Sequence, residues 1–331
     1  MREFKSRSSA LMGCLVLLTS AACATAGPAV ERVDMDPMHL MVVDADGRKV
    51  VEVLDPETLF REASLAFRQQ DYELSARKYG LIVDRFLASR WGSVSRFNLG
   101  LSLERLDRHA DAKVHFAAVA DQLKGSRDGQ DALFRLAACH EALETWSEAD
   151  VALSRVLAPE HEEISAVDRL EARARRGFVR QQLGDLALAE RDYLAAINLY
   201  RRHVEDQRAA GTFFASMAQF QIGEIYRELF RAIRFRLPVE RMARDLEDKS
   251  NYFLKSQNSY LHALRLHHRD YATRAGYRLG SLYEVMYEDM MAAEIPGDLS
   301  RDEVGVYYEE LRSHVRPLIE RAIDIYKRNL R

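Results

Sequence analysis

The chain has 331 residues, 47% of them apolar, and a nearly balanced charge of 48 Lys and Arg against 51 Asp and Glu. That is ample material for a core, and it argues against a dedicated nucleic-acid binder, which carries a basic excess on one face. Seven prolines in the whole chain suit long helices.

Residues 1–26 read as an export signal. Arg2, Lys5 and Arg7 form the positive end, Ala10 to Leu18 a short apolar run, and Thr19 to Ala26 a string of small residues. Nine apolar residues cannot cross a bilayer core about 30 Å thick as a permanent helix, so the chain is expected to leave the cytoplasm. Ser20-Ala21-Ala22-Cys23 resembles a lipobox, in which a cysteine after small residues is acylated and becomes the mature N-terminus; Ser20 stands where that motif prefers Leu. The resemblance makes Cys23 the lipid attachment site. Ala24 follows it, not the aspartate associated with inner-membrane retention, which points to the outer membrane facing the periplasm. Ala24-Thr25-Ala26 also suits the ordinary signal peptidase, with a cut after Ala26 and no anchor. Leu11-Met12-Gly13-Cys14 resembles a lipobox too, but cleavage there would leave apolar Leu15 to Leu18 on the mature protein. With Cys23 acylated, Cys139 has no disulfide partner and reads as a small buried residue of a helix.

Residues 27–56 form a tether with a hairpin. Leu40 to Val43 and Lys49 to Leu54 are β-branched runs on either side of Asp46-Gly47, a strong hairpin signal. An isolated hairpin is marginal in water, so it is expected to dock on the first helices, the alternative being that it adds its edge to a partner. Asp55-Pro56-Glu57 then opens the helices, with Asp as cap and Pro in the first turn.

From here a pattern returns. In Arg96 to Lys124, Leu99-Gly100 and Leu103 mark a first helix, Asp107 to His109 a turn, and Ala112, Phe116, Val119 and Ala120 the stripe of a second. An earlier copy holds Leu59, Ala63, Asp71-Tyr72, Ala76, Tyr79 and Val83. A later one holds Leu133, Leu136-Ala137, Trp146, Ala149, Leu153 and Val156, and a fourth holds Gly177, Gly184-Asp185-Leu186, Ala189, Tyr193 and Ala196. Phe60, Phe97 and Phe134 fall 37 positions apart, so the surplus over a period of about 34 is expected in the loops at Leu87 to Arg90 and Lys124 to Asp128. Past Tyr200, Ala218 to Tyr226 and Ala275 to Tyr283 are one segment repeated, each trailed by Leu237-Pro238 or Ile295-Pro296. These are expected to be hairpins roughly 20 to 30 residues longer than the others, each Pro breaking the outgoing helix.

This pattern resembles the tetratricopeptide repeat. The fold expected is all-α: a solenoid of about six helical hairpins behind a short β-hairpin, four ordinary pairs in 57–206 and two elongated in 207–331. The resemblance implies a right-handed superhelix with a concave face lined by the first helix of each pair. Phe60, Phe97, Phe134, Phe220 and Tyr277 take one matching position on those helices, with Ala174 in the fourth pair, and a ladder of rings could grip a partner peptide. The competing reading is packing between repeats. Arg173, Arg176 and Arg180, three and four apart, could receive a carboxylate or phosphate, or form solvated surface. Glu104, Arg105, Glu141, Arg227, Glu228 and Glu284 stand at or near first-helix ends; the family's carboxylate clamp is not present in full.

Chemistry is sparse. His262 with His267-His268 lacks zinc spacing, His161-Glu162-Glu163 looks like a helix entry, and no phosphate loop or Gly-x-Ser-x-Gly occurs. No cofactor, metal, nucleic acid or catalysis is expected. The chain resembles the tetratricopeptide lipoproteins of envelope assembly. Over 209–331, through its paired Ile/Leu-Gly-x-x-Tyr segments, it resembles those of gliding-motility machinery. Both imply a structural role among other envelope proteins, with the outer membrane held through the N-terminal lipid. The alternative is a soluble periplasmic binding protein or enzyme acting on cell-wall fragments.

Overall fold

A computed structural model describes residues 38–45, 48–158, 164–202, 209–295, 297 and 300–329, all within one unit of chain from Pro37 to Arg331. The export signal, Cys23, the Asp46-Gly47 turn, His161-Glu162-Glu163 and Pro296 lie outside the described residues.

Strands β1 (His39–Ala45) and β2 (Arg48–Leu54) pair antiparallel, from His39 opposite Leu54 to Ala45 opposite Arg48. Alternation turns Leu40, Val42, Val51 and Val53 to one exposed side. The hairpin meets the helices at its base: Leu54 is buried in their core, and the His39 ring stands edge-on to Phe86 with centroids 4.9 Å apart.

The helices follow in pairs. The ordinary pairs are α1 (Pro56–Arg68) with α2 (Tyr72–Arg85), α3 (Gly92–Arg105) with α4 (His109–Gln122), α5 (Arg127–Ala142) with α6 (Trp146–Val156), and α7 (Ala166–Gln182) with α8 (Leu186–Arg202). The long pairs are α9 (Ala209–Ala232) with α10 (Val239–Arg265), and α11 (Arg269–Met291) with α12 (Arg301–Asn329). Each helix packs on the next in the chain, and α9 also packs on α7 and α11. This is a tetratricopeptide-type solenoid. One apolar cluster runs from Leu54 to Val179, a second joins α7, α8 and α9, and a third fills α9 to α12.

Local chemistry sets the boundaries. Asp55 Oδ1 accepts from the Thr58 N–H at 2.9 Å, with Pro56 opening α1. Asp71, Ser126, Ser165 and Asp185 cap α2, α5, α7 and α8 in the same way. Inside each ordinary pair the chain reverses through one left-handed residue, Gln70, Asp107, Glu144 or Gly184, with φ of 65°, 56°, 54° and 81°.

The small residue of the repeat is a matter of space. A Cβ on Gly100 would lie 2.8 Å from the Phe116 ring, one on Gly177 2.7 Å from Tyr193, one on Gly223 2.5 Å from Tyr260 and one on Gly280 2.4 Å from Tyr326. Ring seated on glycine is therefore the rung that fixes the helix separation. In the second and fourth ordinary pairs the ring follows its glycine by 16 positions, the first and third having Ala63 and Ala137 at the small position; Tyr260 follows by 37 and Tyr326 by 46. The additional residues lie beyond the rung, in the far ends of the helices and their connections.

Those ends carry a polar clamp. Lys249, fully buried, donates to the carbonyls of Phe230 and Ile233 at 2.8 and 2.9 Å, just where α9 runs out, and pairs with Asp289 of α11 at 2.8 Å. Arg234 holds Asp289 as well. Pro238 corrects an expectation: α9 has already ended at Ala232, and Pro238 stands at the N-cap of α10, where a missing N–H costs nothing.

Candidate functional site

A first helix contacts its own partner and its neighbours in the stack, and the side left over is what a partner can reach. On α3, α5 and α7 that side is hollowed. Two depressions of about 350 and 460 Å³ share Phe97 and Asp131, so they form one groove across three pairs. Val94 and Phe97 line it from α3, Val119 and Leu123 from the end of α4, Phe134 and Ala138 from α5, Glu171 and Arg175 from α7.

Phe97 and Phe134 are partly buried and partly open. Phe97 rests edge-on against Phe116, with centroids 5.5 Å apart. Phe134 carries the Arg175 guanidinium over its ring at 5.9 Å. The other matching rings diverge. Phe60 is wedged between Tyr79 and Trp91 at 5.5 and 4.5 Å. Phe220 is buried against Tyr260 and Tyr271, because the close approach of α9 to α11 closes over it, so it has no side left for a partner. Tyr277 is 56% exposed beside Tyr326, and Ala174 is fully buried.

Charge in the groove is uneven. Arg135 is held by Glu104 at 3.0 Å, Arg175 by Glu141 and Glu171 at 3.0 and 3.1 Å, and Arg90 by Glu57 at 2.9 Å. Burial pushes the Glu141 and Glu171 carboxyls above the usual range, with Arg175 opposing. Asp131 is raised as well, by burial first, with Arg127 opposing and Asp168 adding to the rise. Asp128, Asp131 and Asp168 form no side-chain ion pair among the described residues.

Arg173, Arg176 and Arg180 do share a face, and that face is turned inward. All three bond Asp192, whose side chain is 1% exposed: Arg173 at 2.9 Å, Arg176 through two contacts of 2.8 Å, Arg180 at 2.8 Å. Arg180 also reaches Asp150 at 2.7 Å and Arg176 reaches Ser154 at 3.0 Å. Burial alone would raise the Asp192 carboxyl; the hydrogen bonds and charge of Arg176, with Arg173 and Arg180, hold it below the usual range instead. The trio therefore braces α6, α7 and α8, its charge already answered. Asp192 itself escapes sequence reading, since the earlier second helices carry Lys78, His115 and Ala152 at that place. The available signal was an acid in an apolar seam opposite arginines three and four apart.

The remaining residues singled out by position are mostly internal. Glu284 accepts from the Tyr326 hydroxyl at 2.7 Å, and Glu224 takes both the Tyr260 hydroxyl and Arg278. Burial, then the nearby Arg278, lowers the Arg227 guanidinium. Arg105 and Glu228 are exposed. His268 packs its ring against Phe213 and Tyr271. Cys139 is buried, and burial, with Glu104 adding, pushes its thiol up to about 12, which leaves almost no thiolate near neutral pH. Among the described residues no cluster of metal-ligating side chains forms, and no helix is long and apolar enough to cross a membrane.

The sequence matches no protein-family model and no curated protein. Among solved structures it is similar to a tetratricopeptide repeat protein from Parabacteroides merdae, at 13% identity and TM-score 0.41, covering 81% of this chain and 98% of that one. It is similar also to BtubC from P. vanneervenii, at 13% identity and TM-score 0.45, covering 82% and 89%. A third is a set of TPR-like repeats assigned to a kinesin light chain of Podosopora anserina, at 15% identity and TM-score 0.45, covering 61% and 98%. Identity at this level carries no information about partners.

Proposed function

We propose that this chain is a non-catalytic interaction scaffold of the cell envelope, exported and held at the outer membrane through Cys23, whose first helices take up segments of other envelope proteins. The observation that carries the reading is the groove of α3, α5 and α7: three consecutive pairs build one open channel with Phe97 and Phe134 in its wall. An extended segment laid along it would meet the Phe97 ring on α3, the Phe134 ring on α5 and the Arg175 side chain on α7. The leader of residues 1–26 supports export. The lengthened pairs support a place in a complex of the gliding-motility type, as a structural part.

Crosslinking in intact envelopes tests the groove. Phe97→Ser with Phe134→Ser should remove the crosslinked partners while circular dichroism stays nearly constant. Partners retained by the doubly substituted, folded chain would refute the reading. Palmitate labelling that persists in Cys23→Ala would refute the anchor.

A further inference from the structure

The groove is chemically selective as well as open. Arg90, Arg135 and Arg175 are paired with Glu57, Glu104, Glu141 and Glu171, whereas Asp128, Asp131 and Asp168 form no ion pair among the described residues, Arg127 and Arg135 acting on Asp131 only through the longer-range field. Asp131 of α5 sits where the two hollows join, and Phe97 of α3 lines both of them with it. Carboxylates beside phenyl faces favour one kind of visitor: a cationic head brings the missing charge, and its stem or neighbouring apolar residues lie on the rings. Arg175 over Phe134 is an internal instance of the same contact.

We infer that the groove of α3, α5 and α7 selects extended segments in which apolar residues alternate with lysine or arginine, the cationic side chains seated at Asp131 and Asp168 and the apolar ones on Phe97 and Phe134. The inference rests on the scaffold reading and adds the chemistry of the partner. The elevated Asp131 carboxyl agrees with it, since the charge of an incoming cation would offset both the cost of burial and the repulsion from Asp168.

The test uses the purified full chain and three fluorescein-labelled octapeptides: alternating leucine and lysine, its leucine-glutamine twin and its leucine-glutamate twin. By fluorescence anisotropy at low salt, the lysine peptide should bind about tenfold more tightly than the glutamine twin, and the glutamate twin more weakly than either. Asp131→Asn with Asp168→Asn should erase the lysine preference, leave glutamine-twin affinity unchanged, and leave the melting temperature unchanged or higher. Phe97→Ser with Phe134→Ser should weaken both the lysine and glutamine peptides. If the phenylalanine variant loses binding but the asparagine variant keeps the lysine preference, the groove stands as a docking site and the charge selection is wrong. Equal affinity for all three peptides, or preference for the glutamate twin, also overturns it. If neither variant changes any affinity, the docking reading itself fails.

Discussion

The ordinary and elongated pairs use the same rung and stabilise what lies around it differently. In the first three ordinary pairs a bulky residue on a small one is enough, because no part of a helix of 11 to 16 residues lies far from the apolar seam. In the long pairs, helices of 23 to 29 residues extend well past it. There Lys249 and Asp289 tie α9, α10 and α11 together, with the Lys249 ammonium 4.2 Å from the centre of the Phe230 ring. The seventh and eighth helices, at the border, also rely on buried charge, through Asp192. Apolar spacing thus sets the pairing, and polar clamps tie one pair to the next.

Breaking a clamp gives the largest expected effects. Asp192→Asn leaves Arg173 and Arg176 without a carboxylate, Arg180 keeping only Asp150, and should cost about 3–5 kcal/mol of stability by chemical denaturation. The Asp192 carboxyl is depressed in the folded chain, so its contribution is present above the ordinary aspartate pKa of about 3.9 and lost as pH falls through the folded value. The gap between the parent chain and Asp192→Asn should accordingly close on acidification; a gap that widens would mean that the carboxyl is raised. Lys249→Met should cost about 2–4 kcal/mol, with two carbonyls and Asp289 deprived of a partner. Here the loss should be local, seen as faster hydrogen exchange from Phe230 to Lys249 while α1 to α6 keep their protection.

The rungs come next. Gly223→Ala and Gly100→Ala each drive a Cβ into a ring and should cost about 1–3 kcal/mol. Gly223→Ala should be the costlier, because the Tyr260 hydroxyl is tied to Glu224 whereas Phe116 has no hydroxyl to anchor its ring. Equal melting temperatures for the two variants would show that the tether does not restrain the ring. The smallest effect lies in the turns. Asp107→Gly and Glu144→Gly relieve a left-handed backbone and should each stabilise by about 0.5–1 kcal/mol, read as a rise in melting temperature.

Much of the fold was legible in residue spacing. Leu99-Gly100 and Phe116 mark a helix crossing wherever they recur, and Asp46-Gly47 between Val43 and Lys49 marks a hairpin. The site was legible only in part. Phe97 and Phe134 line a groove, while Phe220, at the matching place, is covered, because α9 packs directly on α11 and Tyr271 closes over the ring. Pro238 could be read as a helix breaker or a helix starter, and the connection between α9 and α10 decided for the starter. Asp192 breaks the pattern of its own repeat, so no periodicity announces it.

Periodicity is a property of single helices: which residues share a face, where a turn reverses the chain and how closely two helices approach follow from side chains a few positions apart, and these the amino-acid order determined unaided. Whether Arg173, Arg176 and Arg180 face solvent or a buried acid, and whether a ring is open or covered, depends on what a third helix brings to the same place. Only the stacked structure decided that, because a charge or a ring takes its role from neighbours distant in the chain.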